Sequence, residues 1–228
     1  MRKALALLAG TLALITAGVV VASPQFAATF EMAHSPSTAG SSAGIETLMT
    51  WSDPGEPGGK PKRVTKIELL FNSGTKIDTS AVTRCRASNA AVLRQGAAAC
   101  PVASKIGSAT SKLTTGSGPP AETKISFFNA RKQIIVFVRA SGRPLAVYRD
   151  DIKGRMVTVN LALPSSLALL ELDAKIKPHS RGHGKKRRIY FRNPPICPPS
   201  GEWTTTVIWT YADGSTQQLS DGTPCRSR

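Results

Sequence analysis

The sequence predicts an all-β protein: an antiparallel β-sandwich, or two small sandwiches in series, carrying one short helix. Three observations predict it. Apolar residues recur at every second position over short segments, the mark of a strand with one buried face. Turns rich in glycine and proline separate those segments at regular spacing. Only one stretch reads as helix.

Phe26, Ala28, Phe30 and Met32 form the first alternating set, and Ile45, Thr47, Met49 and Trp51 the second. Between the second and third sets, residues 53–61 contain three prolines and three glycines, which makes them an exposed loop. Ile67, Leu69 and Phe71 form the third set, with Lys66 and Glu68 on the other face. The helix is expected within Thr79 to Gly96, started by Ser88 or Asn89 and stopped by Gly96. Asn129 to Lys132 reads as a hairpin turn leading into Ile134–Val138, and Lys153 to Arg155 as another turn before Met156–Leu163.

Leu170, Leu172, Ala174 and Ile176 alternate with charged residues, a half-buried strand. Its expected partner is Arg188 to Arg192, beyond the loop 178–187. In the last hairpin, Trp203, Thr205, Val207, Trp209 and Tyr211 share a face, and Asp213-Gly214 predicts a type I′ turn into Ser215–Leu219.

Residues 1–22 read as a secretory signal peptide. A basic tip, Met1-Arg2-Lys3, precedes an uncharged run from Ala4 to Ala22, and small residues with Pro24 follow. An uncleaved membrane anchor is the rival reading, since a span needs about 20 apolar residues. Gly10, Thr11, Thr16 and Gly18 dilute the run and argue against it. Membrane attachment is therefore expected only without cleavage. The secreted domain is expected over residues 23–225, with a subdivision near 116–120 and a loose tail at 226–228.

The chain holds 30 basic and 14 acidic residues, a net charge of +16. Loss of Arg2 and Lys3 with the signal leaves the chain strongly cationic, suited to anionic surroundings. Four cysteines, Cys85, Cys100, Cys197 and Cys225, allow three pairings. Each of the two nearest-neighbour pairs brackets a short segment, which favours Cys85–Cys100 and Cys197–Cys225. No C-x-x-C spacing and no adjacent histidine suggest a metal site instead.

Two stretches resemble secreted actinobacterial proteins without an assigned function. One is Cys85 with Cys100-Pro101-x-x-Ser104-Lys105-Ile106-Gly107-Ser108. The other is Pro194-Pro195-x-Cys197, Gly201-x-Trp203-Thr204-Thr205, Tyr211-x-Asp213-Gly214 and Pro224-Cys225. The resemblance implies an extracellular β-rich domain and carries no catalytic residue over to this chain.

The most distinctive polar segment runs from Lys177 to Arg188. Its Lys177, Arg181, Lys185, Lys186, Arg187 and Arg188 are the candidate residues for binding an anionic cell-envelope polymer or polysaccharide. A solvated loop whose charges discourage strand-edge pairing is the plainer reading. His179 and His183 sit four apart, but Pro178, Gly182 and Gly184 deny them a helix, so no metal is expected. Ser73-x-x-Lys76 matches a Ser/Lys nucleophile pattern, yet Asn72-Ser73-Gly74 reads as a turn and the companion motifs are missing.

Asp150-Asp151 is expected in a tight turn; in a strand the pair would point to opposite faces. Trp203, Trp209 and Tyr211 are expected in the core rather than on a sugar platform. No nucleic-acid recognition motif is present. The expectation is a secreted, disulfide-stapled, non-catalytic protein with a structural or adhesive role and no cofactor. An extracellular hydrolase with an unrecognised site is the alternative.

Overall fold

A computed structural model describes residues 26–227. The expected signal peptide lies outside them. Eleven strands among these residues form one sheet: β1 (Ala27–Ser35), β2 (Gly44–Ser52), β3 (Val64–Leu70), β4 (Lys105–Thr114), β5 (Ala121–Ala130), β6 (Gln133–Ala140), β7 (Arg143–Lys153), β8 (Met156–Asn160), β9 (Ala168–Ile176), β10 (Glu202–Tyr211) and β11 (Thr216–Pro224). The order across the sheet is β1-β2-β9-β4-β5-β6-β7-β8-β3-β10-β11, and every neighbouring pair is antiparallel.

The sandwich expectation is corrected here: the sheet curls into a nearly closed barrel. An odd number of alternating strands leaves β1 and β11 running parallel where they meet. They meet mainly through side chains. The Met32 N–H donates to Asp221 Oδ2 at 2.7 Å, and Thr223 Oγ1 donates to the Met32 carbonyl at 3.0 Å. Beyond the strands, Thr38 and Arg226 form a parallel bridge, so Arg226 is held rather than loose. Alternation reports that one face is buried. It is the same for a sandwich and a barrel, so it could not distinguish them.

A second correction concerns β9. Both its edges are occupied, by β2 and β4, with Leu172 opposite Met49 on one side and Ser111 on the other. Arg188–Ile189 pairs instead with Ser180–Arg181, and Phe191–Arg192 with Lys76–Ile77. The sheet neighbours of β9 are not its neighbours in sequence. Close packing beside β9 explains Gly107: a Cβ there would lie 2.2 Å from the Lys175 carbonyl oxygen.

The last turn also differs from expectation. Ala212-Asp213-Gly214 forms a three-residue loop in which Gly214 alone has a positive φ, +81°. The Gly214 N–H donates to the Tyr211 carbonyl and the Tyr211 N–H to the Ser215 carbonyl. A single left-handed glycine at the third position suits this longer loop.

Residues 116–120 lie in the turn between the adjacent strands β4 and β5. Helix α1 (Asn89–Gln95) packs outside the barrel. Ser88 Oγ caps it by accepting from the Ala91 N–H, and Gly96 ends it. Its Val92 packs with Phe128, Ala130, Ile135, Phe137 and the Cys85–Cys100 disulfide. This outer cluster explains why the run Ile134–Val138 is buried on both faces. Cys197–Cys225 ties the open end of the β10–β11 hairpin, with Cα atoms 5.7 Å apart. Two disulfides are compatible with a secreted, stabilised protein. Among the described residues, no helix is long and apolar enough to cross a membrane.

A candidate ligand cavity inside the barrel

An eight-stranded barrel is just wide enough for its own side chains to fill, and diameter grows with strand number. Eleven strands therefore need unusually large side chains inside. The largest, the tryptophans, cluster together on one side. Trp51 and Trp209 meet edge to face at 5.4 Å, Phe26 and Tyr211 at 5.2 Å, and Trp209 is fully buried. Elsewhere the wall carries Ile67, beside Trp209 in the ladder, and Val136, Val138, Val157 and Leu169, short side chains that leave the interior partly unfilled. A cavity of about 290 Å³ remains there, lined by residues of β2 to β9.

The register gives the cavity two ends. Leu145, Leu163 and Leu167 lie at one end, with Leu145 48% exposed; this is the mouth. Asp150 and Ile152 lie at the other end of β7, where Tyr190 and Phe191 cross beneath the barrel. Five residues of extended strand separate Leu145 from Asp150, about 17 Å. The closing segment is well anchored: the Tyr190 N–H donates to the His179 carbonyl, and the Asp78 N–H to the Tyr190 carbonyl.

The lining is apolar apart from a few groups, of which Asp150 and Tyr190 matter most. Asp150 is only 4% exposed, yet its Oδ1 has no hydrogen-bond partner, and neither has the Tyr190 hydroxyl. Burial, and to a lesser degree the Asp151 charge, push the Asp150 carboxyl well above its ordinary range. Burial likewise raises the Tyr148 and Tyr190 phenols, and the Asp150 charge raises them further. Both phenols thus feel the Asp150 carboxyl, and Asp150 Oδ1 makes no hydrogen bond to either. Asp151, on the other face, accepts from Gln133 Nε2 at 2.9 Å. The expected turn at Asp150-Asp151 is corrected to mid-strand, since the actual turn falls at Gly154.

The basic segment lies away from the mouth. Residues 182–187 form the tip of a two-rung ribbon in which Arg181 stands directly opposite Arg188. Lys177, Arg181, Lys186, Arg187 and Arg188 are exposed, and Lys185 lies in the 3₁₀ turn Gly184–Lys186. Arg187 Nη2 donates to Ser180 Oγ and Arg188 Nη1 to Ser80 Oγ. His179 donates its Nε2–H to the Ile106 carbonyl at 3.1 Å. His34 is buried, with Nδ1 3.0 Å from Asn193 Oδ1, and burial lowers its pKa despite that bond. Ser73 sits in a turn and Lys76 in a short ladder. Trp203, Trp209 and Tyr211 are in the core, as expected.

No protein-family model, no curated protein and no solved structure matches this chain.

Sequence reasoning missed the cavity and its polar end. A signal was present. Ala146, Tyr148, Asp150 and Ile152 alternate through β7, which puts a carboxyl in an inward-facing row.

Proposed function

We propose that this chain is an exported, non-catalytic binding protein that holds one small apolar molecule inside its barrel. The observation carrying this is the cavity of about 290 Å³, walled by aliphatic side chains and reached past Leu145. Ligand pockets start at about 300 Å³ and are mainly apolar with a few placed polar groups. An apolar cavity of about 150 Å³ takes up benzene, so this one has room for roughly 12 non-hydrogen atoms.

The non-catalytic part rests on the two histidines with assigned partners. His34 is engaged with Asn193 and His179 with Ile106, so neither activates a nucleophile. Export is supported by the basic-apolar N-terminus and the two disulfides. The proposed kinship with secreted actinobacterial proteins rests on residues that build the frame, such as Gly107, Cys100 and Trp203.

The test is fluorescence of N-phenyl-1-naphthylamine with the exported chain. Enhancement is expected, and its loss in Ala146→Trp, which fills the upper cavity, at unchanged circular dichroism. No enhancement with the native chain overturns the proposal.

A second reading is favoured by one observation: Arg181 and Arg188 face each other across the ribbon. Opposed like charges are destabilising, and a bound anion relieves them. Anionic envelope polymers are the proposed partner. Replacing Lys185, Lys186, Arg187 and Arg188 with Ser is expected to abolish salt-sensitive retention on such polymers. Unchanged retention removes this reading.

A further inference from the structure

The closed end of the cavity carries more information than its volume. Asp150 Oδ1 and the Tyr190 hydroxyl are buried, line the same cavity and lack hydrogen-bond partners. Leaving a buried polar group unpaired is destabilising, so two on one cavity ask for an explanation. Nothing in the frame needs them. An apolar pair at these positions would close the bottom without that cost.

Building on the binding reading above, we infer that the barrel selects a straight-chain amphiphile with a neutral terminal hydroxyl, held head-first against Asp150 and Tyr190 with its tail toward Leu145. The chemistry follows from donor counts. A hydroxyl offers one donor and two acceptor sites. It donates to Asp150 Oδ1 and accepts from the Tyr190 phenol, satisfying both at once. An ammonium has three donors and no acceptor, and burying a cation in an apolar shaft is costly. A carboxylate head would meet the Asp150 carboxyl and bring a charge into the same apolar site. The raised pKa of Asp150 supports a neutral partner.

Length is set by the shaft. Room for roughly 12 non-hydrogen atoms admits a ten-carbon alcohol whole, while longer tails emerge past Leu145 and Leu163.

Titration calorimetry with two isomers tests this. Decan-1-ol and 1-methoxynonane contain the same atoms, but only the alcohol donates a hydrogen bond. The native chain is expected to bind the alcohol about tenfold more tightly. Asp150→Leu is expected to erase the preference while leaving the ether's affinity unchanged. Asp150→Asn, which keeps a carbonyl acceptor and the side-chain shape, is expected to retain most of it, which separates recognition from misfolding. Decan-1-amine and decanoate are expected to bind more weakly than the alcohol. Equal affinity for alcohol and ether overturns the head-group inference, including the case where a trapped water serves both residues, and leaves apolar binding standing. So does tighter binding of the amine or the acid. Binding of neither isomer overturns the underlying reading instead.

Discussion

The Met32 N–H donates to Asp221 Oδ2 at 2.7 Å, and this contact closes the barrel where strands β1 and β11 meet. A backbone group that would sit in a ladder is satisfied by a side chain, because the two strands run parallel without a regular ladder between them. Thr223 completes the seam at the Met32 carbonyl. Asp221→Ala leaves the buried Met32 N–H unpaired and is expected to cost about 1–3 kcal/mol in urea unfolding. Asp221→Asn keeps an acceptor and is expected to cost less. Hydrogen exchange at Met32 reads the seam directly and should accelerate in the alanine variant.

Cys197–Cys225 closes a loop of sequence separation 28. On the chain-entropy account its removal costs about 3.6 kcal/mol, and removal of Cys85–Cys100 about 3 kcal/mol. Double-Ala variants compared by urea unfolding check both values. Non-reducing peptide mapping should show no peptide linking one pair to the other.

Asn129 is fully buried and points its Nδ2 at the carbonyls of Thr79 and Val82, both at 2.9 Å, and of Thr83 at 3.2 Å. It pins the segment before Cys85 against the barrel wall. Asn129→Asp sets a carboxylate oxygen against those carbonyls and strands them. A loss of at least about 3 kcal/mol is expected in urea unfolding. Asn129→Asp matching the native stability would show that the clamp is unnecessary.

Asp150 gives stability a distinctive pH dependence. Its folded pKa lies above the ordinary 3.8, so the folded barrel keeps a proton that the unfolded chain releases. The folded state then binds more protons, and stability falls as pH rises from about 3.8 through the folded value. The slope reaches at most about 1.4 kcal/mol per pH unit. His34 acts in the opposite sense. Its folded pKa is lowered, so its contribution is complete above 6.5 and is lost as pH falls below that value. Asp150→Asn is expected to gain on the native chain as pH rises above about 3.8. A pH-independent difference would place the Asp150 carboxyl in water.

Much of the frame was legible in the sequence. Period-two apolar sets marked β1, β2, β3, β9 and β10, and Ser88 and Gly96 marked the helix ends. The spacing of the cysteines pointed to their pairing. Closure was not legible, because it depends on Asp221 and Thr223 meeting a strand nearly 190 residues earlier in the chain. The cavity was hidden for a related reason. A missing side chain across a barrel is a relation between β6 and β9, not a property of either. Asp150 was read as a turn because two adjacent aspartates resemble one, although Tyr148 and Ile152 already placed it in an inward row. The loop 178–187 turns the chain back, but Arg188–Ile189 returns to Ser180–Arg181 rather than to β9.

The central claim is that an apolar chamber lies inside the barrel, walled by the strands β2 through β9. Methyl-resolved NMR of the exported chain under xenon tests it most directly, since xenon enters such spaces without needing polar contacts. The account predicts saturable shifts confined to the methyl groups of Ile67, Val136, Val157 and Leu169. Shifts only at the exposed Leu93, Val102 and Ile196, or none at all, would contradict it.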